Sequence, residues 1–488
     1  MLIFCVKVNK TDSKLLPSKT INRLARDAIS RHLFLKNMFG LLDFGFGGIN
    51  SPIGINGDLI FQAYDQELLQ VMQVLFNDPQ VALYPTVFCL GYWSFAPEPK
   101  EGDGPHVFNK ETSARHRLLR SQLQHCLTKI IDDSRLIRKN EKKEWHEALM
   151  GPTFKGPMIA LMIILLKNVR QVKLWSWHLA DISGYFWRVL ERVAIAHRIK
   201  GATICSKEMP LSNLEEIRYT AVGDDDEENI RALIPFAMLP SVRFLNGRGI
   251  TSRGYTRRHR VYSVWPLDYP IRTSGVTSNK LSASRCSPKA LDSLLAGIAS
   301  LQEFSYYHCS NSDQILYEPQ KIIKALTKHT SASLKKLTLC AMQDFLDDEE
   351  NQMQLQYVGS LQQLTCLENI VLDDKLFERR WLNGRSNIPF IAMKPLVDGL
   401  PKSTKAITLL HNIPAEKAKN LFQDLAKLKE ERLPKLQKLS YYSCGGIDYA
   451  TPITESLKQS LEDVGIMVSN TPPPRPDRYD MYECPTEH

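Results

Sequence analysis

Paired cysteines are missing from this sequence. Ten Cys are scattered over 488 residues, with no Cys-x-x-Cys and no His-x-x-x-His among them. A disulfide framework and a zinc site are therefore not expected, and the thiols read as reduced in an intracellular, cytoplasmic or nuclear protein. Long apolar runs are missing too. The longest, Pro157 to Leu166, is bracketed by Lys155 and Lys167 and falls short of the roughly 20 residues that a membrane span needs. Met1 to Val6 is apolar but has no basic flank and is cut by Lys7, so no secretory signal is expected.

Catalytic signatures are also lacking. There is no Gly-x-Ser-x-Gly and no His-Glu-x-x-His, and Gly45-x-Gly47-Gly48 is not followed by the Lys-Ser/Thr of a phosphate-binding loop. Asp347-Asp348-Glu349-Glu350 lacks the alternating ligands of a calcium loop. The expectation is a protein without catalytic activity, metal or cofactor. The net charge of +9 is mildly basic, weaker and less focused than that of a typical nucleic-acid binder.

What the sequence does contain is a repeating spacing, apolar-x-x-apolar-x-apolar. It reads Leu214-x-x-Ile217-x-Tyr219, Leu301-x-x-Phe304-x-Tyr306, Leu334-x-x-Leu337-x-Leu339, Leu367-x-x-Ile370-x-Leu372 and Leu436-x-x-Leu439-x-Tyr441, with Cys309, Asn412 and Cys444 standing where a Cys or Asn closes such a strand. This is the strand signature of a leucine-rich repeat. Further strands are placed at Tyr84–Tyr92 and Val169-x-x-Val172-x-Leu174, and others centre on Val242, Leu281 and Ile407. Helical spacing falls between them, for example at Ser113–Asp133, Lys142–Leu149, Met158–Leu166, Ser287–Ser300, Glu318–His329 and Ala415–Lys429. The expected fold is α/β: an irregular leucine-rich-repeat solenoid, or horseshoe, with parallel concave strands and convex helices.

Several segments resemble the divergent family of fungal F-box and leucine-rich-repeat proteins. Asp78-Pro79 with Val87-x-x-Leu90-Gly91-Tyr92-Trp93 is similar to that family's first strand. Trp145-x-Glu147-Ala148-Leu149 with Ala160-Leu161 and Asn168-Val169 is similar to its second unit. Ser274-Gly275-Val276-Thr277-Ser278 with Ala290-Leu291-Asp292-Ser293-Leu294-Leu295 is similar to a mid-array unit. The resemblance implies repeats over residues 59–470; the residues outside it read by their own composition as an N-terminal helical cap and Gly-rich loop over 1–58 and a disordered Pro-rich tail over 471–488. The resemblance also implies that a degenerate F-box is to be sought at 13–40, where Leu16, Pro17, Ile21 and Leu24 match and Lys19 replaces the usual Glu. A working F-box would recruit the adaptor of a cullin-type ubiquitin ligase.

Side chains alternate along a strand, so the fifth position of each copy faces the concave side. Read that way, Lys173, Arg218, Arg243 and Lys280 form one row of cations, suited to an acidic segment of a protein partner. Glu216 and the run Asp224-Asp225-Asp226-Glu227-Glu228 could instead neutralise the row from within. The stretch 248–260 gathers Arg248, Arg253, Arg257, Arg258 and Arg260 around Tyr255 and His259, a composition that fits phosphates and bases. Three readings follow: a protein-interaction scaffold, a ubiquitin-ligase substrate receptor, and a nucleic-acid-associated protein.

Overall fold

The computed structural model describes residues 69, 72–73, 75–76, 87–90, 110–151, 154–176, 180–199, 209–221, 228–252, 272–309, 317–341, 358–373, 376, 396–410, 419, 421–422, 424–441 and 453–469. The F-box-like residues Leu16, Pro17, Ile21 and Leu24, most of the basic stretch (253–260) and the acidic runs at 224–227 and 347–350 lie outside them. The chain divides into two compact units, one mainly before residue 227 and one mainly after it.

In the first unit three strands pair in parallel: β1 (Val87–Leu90), β2 (Gln171–Ser176) and β3 (Glu216–Ala221), with Phe88 opposite Val172 and Val172 opposite Ile217. Among the described residues they are accompanied by helices α1 (Lys110–Asp133), α2 (Lys142–Met150), α3 (Lys155–Leu165) and α4 (Ala180–Ile199). Each buries the stripe that its spacing dictates. In α1 this is Leu123, Leu127 and Ile131, and in α2 Trp145 and Leu149. Helix α3 is apolar nearly all round and buries Met158 to Ile163, as a central helix must. It packs against α4, which buries Phe186, Val189, Leu190 and Val193. Gly151 ends α2, where its N–H reaches the carbonyls of Glu147 and Ala148.

The second unit holds a two-stranded parallel ladder of β4 (Glu228–Asn229) and β6 (Ile250–Thr251), with the short helix α5 (Ile234–Ala237) between them. Its main sheet is also parallel and runs in the order β5 (Phe244–Arg248), β7 (Ser278–Ser284), β8 (Glu303–His308), β9 (Lys336–Ala341), β10 (Asn369–Asp373), β11 (Ala406–Leu410), β12 (Lys438–Tyr441) and β13 (Met467–Ser469). Helices α6 (Pro288–Ala296), α7 (Pro319–Thr330), α8 (Leu396–Gly399), α9 (Leu425–Arg432) and α10 (Glu455–Asp463) fall between strands. Ser287 caps α6 by accepting the Ala290 N–H, and Pro288 opens its first turn, as helix starts favour.

One hydrogen-bond device repeats along the second unit. The carbonyl of the residue just before a strand accepts two successive N–H groups from the next copy. Arg243 accepts Thr277 and Ser278, Thr277 accepts Gln302 and Glu303, Gln302 accepts Lys335 and Lys336, and Lys335 accepts Glu368 and Asn369. Glu368 then accepts Lys405 and Ala406, and Lys405 accepts Gln437 and Lys438, all at 2.8–3.1 Å. In the first unit Arg170 accepts Glu215 and Glu216 in the same way. Leu334, Leu367 and Leu436 sit buried in the tight turns that precede these strands. Thr404 takes that place before β11, and its hydroxyl bonds to the Pro401 carbonyl at 2.8 Å, which satisfies a polar group in an apolar position.

The repeat spacing thus corresponds to parallel strands, one per copy, and the α/β class is observed. Two expectations change in detail. Val242 is not the centre of a strand: it precedes β5, and the copy reads Val242-x-x-Leu245-x-Gly247. Gly247 stands where a large apolar residue was sought, because a Cβ there would come within 2.6 Å of Ile250 Cγ1; Ile250 fills that space. The second change is the final strand, β13, which lies beyond the last copy found by spacing.

Candidate partner-binding face

The first unit's sheet and the second unit's main sheet each have one face that is apolar and buried. Along β9 the alternation is direct: Leu337 and Leu339 are buried, while Lys336 is exposed and Thr338 half-exposed. In the second unit the fifth positions of neighbouring copies align in register as Asn246, Lys280, Ser305, Thr338, Val371, Thr408, Ser440 and Ser469. Apart from Lys280 this row is uncharged.

The four cations expected in one row are placed as follows. In the first unit Lys173 lies opposite Arg218 in register. The Arg218 Nε donates to Glu216 Oε1 at 2.6 Å, and Glu216 Oε2 accepts from Gln171 Nε2 at 2.8 Å. In the second unit Lys280 sits 3.3 Å from Glu303 Oε1, and the Ser278 hydroxyl donates to Glu303 Oε2 at 3.0 Å. Arg243 is not beside Lys280. It precedes β5, Asn246 is the register partner of Lys280, and the Arg243 guanidinium donates to the Gly275 carbonyl at 2.7 Å. Because Val242 is the first and not the central position of its copy, Arg243 falls three residues short of the row, about 10 Å along the strand. Two of the four cations therefore hold carboxylates of their own sheet, and Glu216 serves in the way foreseen.

A buried polar cluster lies at the other end of the second unit's strands. The Tyr306 hydroxyl accepts the Cys286 N–H at 2.9 Å, lies 3.2 Å from the Ser284 carbonyl and bonds His308 Nδ1 at 3.0 Å. The His308 ring stacks on Tyr317 with centroids 4.8 Å apart. Burial pushes the Tyr306 hydroxyl and the Cys286 and Cys340 thiols upward, and the Asp373 carboxylate adds to this at Cys340. These groups stay neutral at physiological pH, which makes the thiols poor nucleophiles. The cluster forms where β7 bulges: the register shifts between Leu281 and Ser284, and Ala283 has φ +44°. Sequence spacing placed Tyr306 and Cys309 in a repeat but gave no sign of the cluster with Ser284, His308 and Tyr317, because a one-residue bulge leaves no mark on an apolar pattern.

Among the described residues no group of three or more His, Cys, Asp or Glu is placed to hold a metal ion. The described cysteines Cys126, Cys286, Cys309, Cys340 and Cys366 are free thiols. No described helix is long and apolar enough to cross a membrane. Of the basic stretch, Arg248 closes β5 and Thr251 and Ser252 are buried. No family model matches the chain, and a search of curated proteins finds no match.

Proposed function

We propose that this chain is a protein-interaction scaffold of leucine-rich-repeat type that offers the polar face of its second unit to a partner protein. The observation that carries this reading is the repeated carbonyl step from Arg243 to Lys405. It holds successive strands at one register and so sets the half-exposed Thr338, Val371 and Thr408, flanked by the buried Ser305 and Ser440, at a regular spacing of about 4.8 Å. Rigid, evenly spaced surfaces of this kind suit recognition.

The test is affinity capture from a filamentous-fungal lysate, read by mass spectrometry, with the full chain and a Thr338→Arg/Thr408→Arg variant. Both threonines are half-exposed, so the variant should keep its circular dichroism and melting point while losing the captured partner. Undiminished capture would overturn the reading. A variant lacking residues 1–58 runs beside them. If the ubiquitin-ligase adaptor comes down with the full chain and not with this variant, the scaffold serves as a substrate receptor through Leu16-Pro17.

A further inference from the structure

We propose that the strand-start edge of the second unit, across β9 to β12, docks an acidic peptide segment of a partner protein. This rests on the scaffold reading and names the partner's chemistry. Lys336 and Lys438 are the first residues of β9 and β12, and the register joins them through Asn369 and Ala406 in a single row. Three strand steps separate them, about 14 Å. Lys335 stands just before β9, while Lys402 and Lys435 lie in the turns that lead into β11 and β12; all five lysines are exposed.

What distinguishes this edge is the absence of internal neutralisation. The cations of the fifth-position row hold carboxylates, as Lys280 holds Glu303 and Arg218 holds Glu216. At the strand-start edge, among the described residues, Lys405 does so, 3.0 Å from Glu368, and Arg432 lies 4.0 Å from Asp398. None of the other five lysines is within ion-pairing distance of a carboxylate among the described residues. The remaining acids nearby are Glu303, which is the register partner of Lys336 on β8 and holds Lys280, Asp398, 4.0 Å from Arg432, and the exposed Glu430 and Glu431 at the end of α9. Seven cations (Lys335, Lys336, Lys402, Lys405, Arg432, Lys435 and Lys438) thus face five carboxylates (Glu303, Glu368, Asp398, Glu430 and Glu431), and Glu303 already holds Lys280. Five unpaired cations on one edge repel one another, and a ligand carrying negative charge relieves that repulsion.

The geometry suits an extended peptide. A chain rising about 3.3 Å per residue covers the distance from Lys336 to Lys438 in about four residues, so carboxylates four apart reach both ends. Asn369 and Ala406 between them are uncharged and half-exposed, which lets a backbone lie close. The edge offers lysine point charges with a single arginine, so it lacks the forked donors that grip phosphates bidentately. It also places no aromatic side chain among these residues for a base to stack on. A peptide carboxylate fits these donors better than a nucleic-acid backbone.

The experiment measures fluorescence anisotropy of a labelled Asp/Glu-rich peptide with the full-length protein. Lys336→Glu/Lys438→Glu should weaken binding by about tenfold or more, a loss of about 1.4 kcal/mol, and rising salt should weaken the wild type in the same direction. Lys289→Glu reverses an exposed charge on α6 and should change binding less than about twofold. Unchanged circular dichroism guards against misfolding. Equal loss in the Lys289 variant, no binding by the wild type at low salt, or tighter binding of a single-stranded oligonucleotide of matched charge would each overturn the proposal. If those occur while Thr338→Arg/Thr408→Arg still abolishes capture, the docking edge fails and the scaffold stands. If the lysine variant loses the peptide while the threonine variant captures normally, the edge stands and the polar-face reading fails.

Discussion

Asn279 occupies a position that its register neighbours give to Leu245 and Phe304. It is fully buried, and neither its amide nitrogen nor its amide oxygen has a hydrogen-bond partner among the described residues. Leaving such a group unsatisfied costs about 1–3 kcal/mol, so Asn279→Leu should raise the stability of the second unit by about 1–2 kcal/mol. Chemical denaturation checks this: a higher midpoint is expected, and a lower one would mean that the amide serves a bound group. Gly247 is the opposite case. A methyl there meets Ile250 Cγ1 at 2.6 Å and Leu281 Cδ2 at 3.1 Å, so Gly247→Ala should destabilise by about 1–3 kcal/mol through overpacking. An unchanged midpoint would show that Ile250 moves aside at little cost. Both residues break the apolar spacing of their copies, and the break at Gly247 is why the sequence centred β5 three residues early and put Arg243 in a row it does not join.

At the scale of elements, α4 is joined by two arginine–carboxylate pairs to α2 and to Glu141, the residue that precedes α2. Arg192 donates to Glu141 through both terminal nitrogens, at 2.7 and 2.5 Å, and Arg188 does the same to Glu144 at 3.2 and 2.7 Å. Arg188 also lies over the Tyr185 ring at 4.5 Å. The hydrogen bonds from Arg192 and Arg188 hold both carboxyls below the usual carboxylate range, against a smaller opposing effect of burial. A carboxyl lowered on folding stabilises the native state above its unfolded value and loses that contribution as pH falls through the folded value. The melting temperature should therefore hold at neutral pH and decline below about pH 4.5, and Arg192→Met should flatten that decline. An identical acid limb in wild type and variant would exclude the pair as a source.

These helices also show how far the sequence could be read. Helix α1 lies within three residues of its expected start because Leu123, Leu127 and Ile131 repeat at helical spacing. Helix α4 has the same spacing in Phe186, Val189, Leu190 and Val193, yet no element was assigned there. Ser183-Gly184, the aromatics and the β-branched residues weaken its local helix preference, and packing against α3 supplies what propensity does not. The cation rows were legible only as residue types. Which of them hold internal carboxylates depends on register, and register is not a property of a single segment.

At the scale of the whole second unit, each strand from β8 to β13 pairs only with its neighbours in sequence, so a defect has a place. Leu337 is buried in β9, flanked in register by Phe304 on β8 and Ile370 on β10. Leu337→Asp puts a carboxylate into that apolar row, where it has no partner and burial is strongly unfavourable. When contacts are mainly between neighbours, stability is close to a sum of copy and interface contributions. Loss of one copy then weakens the adjacent interfaces first. Hydrogen exchange read by mass spectrometry should show protection lost across β8, β9 and β10, where the carbonyl steps through Gln302 and Lys335 are broken. The strands β12 and β13, held to each other by the register Leu439 to Val468, should retain measurable protection. Uniform loss from β7 to β13 would mean that the unit folds as one cooperative body, and the stepwise repeat reading would have to be given up.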